Sequence, residues 1–199
     1  AGTEVTVLFG VSSASTAALA NAYAAQFKTQ WVLGSVGGDA TTIAATNKAY
    51  VPLLFGAKGF SFAPAPTDAT DEYIKLFQSI YATAQPTQTF DNNVVAGMSN
   101  AFVAVHALQA AGSNLTRAGL IKTIEAKGAS FANPFLTPLG YSATAHVGAT
   151  GYWIGTYDQT GALKPDGGKY TVYTTDSGNG AVVESTYKRP AMPAKGLPN

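Results

Sequence analysis

The sequence predicts an α/β fold on a mainly parallel sheet, and three observations predict it. A short apolar run, Val5-Thr6-Val7-Leu8-Phe9, ends at Gly10 and passes through clustered hydroxyls into an alanine-rich segment with helical spacing. Short apolar runs and helical patterns then alternate as far as Phe62, the order that βαβ units produce. Residues 91–111 carry apolar side chains at three- and four-residue steps, the stripe of a long amphipathic helix.

Each element has its own reasons. Val5, Val7, Leu8 and Phe9 suit a strand buried on both faces, because β-branched and aromatic side chains fill a pleated surface. Leu19, Tyr23 and Phe27 follow as one helical stripe. Trp31 to Val36 reads as a second strand, and Asp39 as the N-cap of a short helix reaching Ala45. Pro52–Phe55 and Gly59–Phe62 are two further strand-like runs. Ala63-Pro64-Ala65-Pro66 punctuates the chain, since each proline forbids helix and restricts the residue before it.

A helix is expected to begin between Thr67 and Thr70, with Asp68, Asp71 and Glu72 in its first turn complementing the dipole. Its apolar stripe is Ile74, Phe77 and Ile80 or Tyr81, widened by Tyr73 and Leu76. The long helix runs from an N-cap at Asp91 to about Ala111, with Val94, Met98, Phe102, Val105 and Leu108 on its apolar face, Val95 and Ala101 beside them, and Gly112 as its left-handed stop. A further helix begins at Thr116, with Leu120, Ile121 and Ile124 inward and Gly128 beyond its end. Strands are expected at Tyr152–Tyr157 and Lys169–Thr174, with a turn at Asp158–Gly161 and an irregular proline-bearing tail from Lys188.

Composition narrows the function. A chain of 199 residues buries a sizeable core without crosslinks, and it has no cysteine for a disulfide, thiolate nucleophile or thiolate metal site. Charged residues make up 12 %, about half the ~25 % usual for soluble domains. A net charge of +1 argues against nucleic acid or an anionic membrane surface as partner. Polar residues interrupt the uncharged stretch from Val5 to Phe27, and no run of about 20 predominantly apolar residues is expected to span a membrane. No basic segment precedes an apolar one as in a signal peptide, so residue 1 is taken as the start of a processed, truncated or proteolysed chain.

No catalytic constellation is visible, and no catalytic residue, metal or cofactor is assigned. His106 and His146 lack further ligands at metal-binding spacing, whereas zinc sites need three or four protein ligands. Gly59-Phe60-Ser61-Phe62-Ala63 falls one residue short of a nucleophile elbow, and Pro64 and Pro66 stand where its helix would start. Gly34-Ser35-Val36-Gly37-Gly38 lacks the spacing and the lysine of phosphate-binding loops. Asn114-Leu115-Thr116 is a formal glycosylation sequon, read instead as the cap of the following helix.

In open α/β sheets, ligands sit beyond the carboxyl ends of the strands. Val11, Ser12 and Ser13 occupy that place after the first strand, and Gly34, Ser35 and Val36 after the second.

Taken together, Glu4–Gly10 with its alanine-rich helix, Phe27–Gly34, Val94–Met98 through Ala107–Arg117, Thr137–Tyr141 and Gly151–Gly161 resemble the carboxyl-terminal portion of type I periplasmic binding proteins. The branched-chain (Leu/Ile/Val-type) amino-acid solute-binding components of ABC importers are the subfamily most similar. The resemblance implies a three-layer α/β sandwich with a mainly parallel sheet, in lobes that close on a small solute. It divides the chain into a second-lobe segment (1–62), a helix-rich first-lobe segment (63–142) and a crossover back with the irregular tail (143–199).

The resemblance also implies an extracytoplasmic, non-catalytic role: a periplasmic or extracellular protein, lipid-anchored if its precursor carries an anchor, docking on a membrane ABC permease. The ligand is then a small amino acid or an organic or aromatic acid held by Val11, Ser12, Ser13, Gly34, Ser35 and Val36. Amino-acid-binding relatives place a carboxylate at the second strand end, where Ser35 stands here, with Asp39 the nearest acid. That departure favours a neutral or anionic ligand over a standard α-amino acid, since a buried ammonium needs a partner. The alternative is a ligand-sensing domain of the same fold on a receptor or regulator, with a hydrolase using Ser61 third. Self-association through exposed sheet surface is expected if the chain is truncated.

Overall fold

The computed structural model describes residues 2–113, 115–175 and 180–194. The chain divides into two compact units, one of residues 1–61 with 153–171, the other of residues 62–152 with 172–199. Their fold is mixed α/β, as the sequence predicts.

The first unit holds β1 (Val5–Leu8), α1 (Ser12–Ala24), β2 (Gln30–Leu33), α2 (Ala40–Asn47) and β3 (Lys58–Ser61). These strands are parallel, with Val7 opposite Val32 and Leu33 opposite Gly59. β6 (Gly151–Tyr157) runs antiparallel to β3 from Trp153 onward, and β7 (Leu163–Pro165) antiparallel to β6. Its core gathers Leu19, Leu33, Ile43, Leu54, Ala57 and Tyr157, with Leu8 and Trp31 against them. The Asp158 side chain holds the β6–β7 turn, its Oδ1 accepting the Thr160 N–H at 2.8 Å and the Ala162 N–H at 3.0 Å.

Four expectations fail in this unit, each for a physical reason. β1 is not buried on both faces: Val5 and Val7 are exposed, and so is Phe9 beyond the strand end. Leu19 is buried, but Tyr23 is 76 % exposed, because α1 presents Ser12, Ser15, Thr16 and Leu19 to its neighbours. These small side chains allow close approach, which an apolar count cannot anticipate. β2 stops at Leu33 instead of Val36, because Gly34–Asp39 forms consecutive turns. Pro52–Phe55 is no strand, because residues 48–54 wind as a 3-10 helix. Pro52 has no N–H for a ladder, and Asn47 caps the turn by accepting the Ala49 N–H at 3.0 Å.

The second unit holds α3 (Glu72–Ala84), α4 (Asn92–Ala111), α5 (Arg117–Lys127), the hairpin β4 (Leu139–Ser142) and β5 (Ala145–Ala149), and the short pair β8 (Val172–Thr174) and β9 (Val183–Glu184). Asp71, Asp91 and Thr116 cap the three helices with their side chains. α3 thus starts at Glu72, later than expected. Residues 68–71 form a turn instead, in which the Asp68 carboxylate accepts the Thr70 N–H at 3.0 Å.

The α4 face is rotated from the predicted stripe. Val95, Ser99, Phe102, Val103 and Ala107 are buried, whereas Val105 and Leu108 are exposed. α4 is also long and apolar enough to cross a membrane, contrary to the sequence expectation. Here it packs as a core helix, supplying Val95, Val103 and Ala107 to one cluster and Phe102 to another. In α5, Leu120 and Ile124 face inward and Ile121 is exposed.

β5, β7 and β9 go unread in the sequence, and the strand expected from Lys169 begins at Val172. Asn114 of the sequon and the tail end 195–199 lie outside the described residues.

The described part of the tail carries no helix or strand, as expected, but side chains anchor it. Asn133 Nδ2 donates to the Tyr187 hydroxyl at 2.9 Å, and Arg189 reaches the Asp71 carboxylate and the Pro134 carbonyl.

Candidate functional site

The six residues singled out lie together at the carboxyl ends of β1 and β2. The parallel ladder continues one step past the strands, with the Gly34 N–H donating to the Leu8 carbonyl at 3.1 Å. Both chains then turn away. After Gly10 the backbone enters α1 directly, and after Gly34 it winds through Ser35–Gly38 into α2.

Ser12 ties the two turns together, its hydroxyl donating to the Val36 carbonyl at 2.8 Å. Because its one proton is committed there, Ser12 offers a ligand only lone pairs, and it is itself buried. Val11 and Val36 are 60 % and 55 % exposed. Ser13 is exposed, Ser35 half-buried and Gly34 buried.

Gly37 is required by this packing. A Cβ there would lie 2.8 Å from the Gly10 carbonyl oxygen and closer still to Ser15 Oγ, so the two turns touch backbone to backbone. Ser15 Oγ is fully buried and has no hydrogen-bond partner among the described residues. Composition and motif matching pass over Ser15 and Gly37; their only signal is a small residue on each turn.

The electrostatics favour negative charge at this end. The first N–H groups of a helix lack internal partners and carry the positive end of its dipole. In each of the other four described α-helices an Asp or Thr side chain accepts one or two of them: Asp39, Asp71, Asp91 and Thr116. At α1 the N-cap is Val11, which makes no side-chain cap bond, and the first turn holds no acidic residue. Among the described residues, then, no side chain caps the start of α1.

Asp39, the nearest acid, is turned inward. It is 2 % exposed, and its Oδ1 accepts the Thr42 N–H at 2.7 Å as the cap of α2. Burial, with Asp39 adding to it, pushes the Tyr157 phenol far above its usual range, so that residue stays neutral.

The remaining candidates have their own partners. His106 Nδ1 lies 3.4 Å from the Ala132 carbonyl and its ring stacks on Phe131, while His146 Nε2 lies 3.0 Å from Glu125 Oε1. Among the described residues, no group of three or more His, Cys, Asp or Glu could hold a metal ion. The second unit contains a separate cavity of about 470 Å³, lined mainly by apolar side chains such as Phe62, Val103, Phe135 and Tyr141.

Comparison with known proteins places this arrangement. A family model described as periplasmic binding protein matches residues 1–162. No curated protein sequence matches. Among solved structures, the chain is similar to a branched-chain amino-acid ABC transporter protein from Thermus thermophilus with bound valine. That match has a TM-score of 0.71 at 18 % identity and covers 88 % of this chain and 47 % of that one. A possible leucine/isoleucine/valine-binding protein from Rhodopirellula baltica has a TM-score of 0.67 at 14 % identity, covering 78 % and 41 %. A fatty acid ABC transporter substrate-binding protein from Thermomonospora curvata has a TM-score of 0.63 at 21 % identity, covering 92 % and 45 %. The chain spans less than half the length of these neighbours, and at such identities they show the fold alone. With more than half of its residues matched by the family model, the chain belongs to the periplasmic binding protein family.

Proposed function

We propose that this chain supplies one wall of a solute site in the extracytoplasmic binding component of an ABC importer, a protein that carries its ligand to a membrane permease without catalysis. The ligand class is a small organic or aromatic acid. The amino terminus of α1 carries this reading, since it begins just beyond the carboxyl end of β1 and no side chain caps it. A ligand carboxylate would receive the Ser13 and Ala14 N–H groups, with the Ser13 and Ser35 hydroxyls beside them and the Val11 and Val36 side chains against its apolar body.

A standard α-amino acid fits less well. Its ammonium would need a carboxylate, and Asp39 is buried and already capping α2. Calorimetric titration of the full-length protein against leucine, valine, benzoate and short-chain carboxylates tests the reading. An acid without an ammonium is expected to bind at least tenfold tighter than either amino acid, and tight valine or leucine binding would overturn the ligand class. Ser13→Glu supplies a second arm. An acid in the first turn supports the helix but repels a bound carboxylate, so affinity is expected to fall tenfold or more with the fold intact. Unchanged affinity would remove the site from the α1 terminus.

A further inference from the structure

The family match ends at residue 162, yet residues 185–192 are fastened to the second unit by specific contacts. Ser185, Tyr187 and Arg189 are half-buried, and Thr186, Lys188 and Pro190 between them are exposed. That alternation is the period of an extended chain, but past Ser185 the described residues belong to no strand. Side chains do the fastening. The Tyr187 hydroxyl accepts from Asn133 Nδ2, Arg189 reaches the Asp71 carboxylate and the Pro134 carbonyl, and Met192 packs against the cluster of Tyr73, Phe77 and Phe102. Pockets for alternate side chains are how extended peptides are recognised.

The receiving groups are set by the body of the unit, not by the tail. Asp71 Oδ1 is fixed by the Tyr73 and Ile74 amides, which leaves Oδ2 for the guanidinium. Asn133 Oδ1 is fixed by the Phe135 amide at 2.8 Å, which leaves Nδ2 for the phenol. Both side chains are buried beneath the docked segment, Asp71 9 % exposed and Asn133 1 %. Because their partners are near neighbours in sequence, they keep this orientation when the segment lifts away.

The same geometry selects arginine. One guanidinium serves the Asp71 carboxylate through Nη2 and the Pro134 carbonyl through Nη1 at 2.8 Å, and its carbon lies 5.0 Å over the Tyr73 ring. An ammonium is a single point of charge and cannot meet a carboxylate, a carbonyl and a ring face together. We propose that this surface of the second unit is a recognition site for an extended peptide of the pattern Tyr-x-Arg-x-x-Met. The tail is its ligand in cis, a strap that an equivalent peptide displaces. The segment follows β9, so its release breaks no strand pairing among the described residues. The site is independent of the solute reading at α1.

Fluorescence anisotropy with a labelled peptide of residues 185–194 tests the proposal. Two receptors free the site: the chain ended at Glu184, and the intact chain carrying Tyr187→Ala with Arg189→Ala. Circular dichroism checks the fold of each. Saturable binding to both is expected, with an Arg189→Lys peptide roughly tenfold weaker or more. The unaltered chain is expected to bind at least about tenfold more weakly than either, because its own tail competes at high effective concentration. Asp71→Asn in the double variant is expected to abolish the preference for Arg over Lys. Absence of binding to a folded receptor would overturn the proposal, as would equal affinity for the Arg and Lys peptides. Binding to the unaltered chain as tight as to the freed receptors would put the peptide on another surface and overturn it. Failure of both receptors to fold would make the tail an integral part of the core and overturn it too.

Discussion

Replacing Arg189 with Met tests how the tail is held in the second unit. The Arg189 side chain is 19 % exposed and that of Asp71 6 %, so the ion pair between them is largely desolvated. Arg189 also donates through Nη1 to the Pro134 carbonyl at 2.8 Å and stands 5.0 Å over the Tyr73 ring. Asp71 is not idle without it, since Oδ1 accepts the Tyr73 and Ile74 amides at 3.0 and 3.1 Å as the cap of α3.

Removing one partner of a buried pair costs about 3–5 kcal/mol, because the other charge stays behind desolvated. Met keeps the apolar stem, and the two amides on Oδ1 partly solvate the remaining carboxylate. The lower end, about 3 kcal/mol, is therefore expected. At about 1.4 kcal/mol per decade this is roughly a hundredfold loss of protection. Native-state hydrogen exchange on a peptide spanning 71–84 reads it locally, and Asp71→Asn with the double variant completes a cycle. The double variant is expected to lose less than the sum of the single ones by about 1.5 kcal/mol or more, as contacting charges couple. Additive losses, or a single loss under about 0.5 kcal/mol, would mean the pair behaves as a solvated surface contact and would refute the reasoning.

Four further outcomes follow from the same structure. Leu33→Ala, at 0 % exposure in the first core, is expected to cost about 3 kcal/mol in urea unfolding. Asp91→Ala removes the cap on the Val94 amide, a 2.9 Å bond, and should destabilise α4 by about 1 kcal/mol, read by exchange over 92–98. The Tyr73 phenol is pushed up to about 12, chiefly by burial and against the pull of Arg189. A group raised in the folded state stabilises fully below its ordinary value near 10, so stability is expected to fall as pH rises from about 10 toward 12, and Tyr73→Phe should flatten that decline. Asp158 is held below the usual carboxylate range, first by the Thr160 hydroxyl, and Asp166 likewise by Lys58 and then Thr156. Both contributions are present above the ordinary carboxylate value and lost as pH falls through the lowered ones, so Asp158→Asn should flatten the acid limb of stability.

Local chemistry was legible along the chain wherever one residue decides an outcome. Asp39, Asp91 and Thr116 cap the helices read from them, and Gly112 takes φ +78° where a left-handed stop was expected. The turn at Asp158–Gly161 closes on its own carboxylate. These are short-range effects of backbone and side chain within a few residues. Strand ends followed by Gly/Ser turns marked Val11–Ser13 and Gly34–Val36 as the candidate site, and the Ser12 hydroxyl joins those two turns. Ser15, Gly37 and the inward turn of Asp39 were not visible, because nothing in their local sequence says which neighbour lies opposite.

What the sequence determined by itself was the class of fold, the alternation of strands and helices, and the starts of α2, α4 and α5, since hydrophobic period and capping act within one or two turns. Tertiary structure decided which side of each element is covered. Val94, Val105 and Leu108 looked inward by spacing, yet the buried face of α4 is Val95, Ser99, Phe102 and Val103. Val5 and Val7 looked like core and lie open. The physical reason is that apolar side chains state a demand for burial without naming the surface that meets it. At β1 that demand stays unmet within these residues.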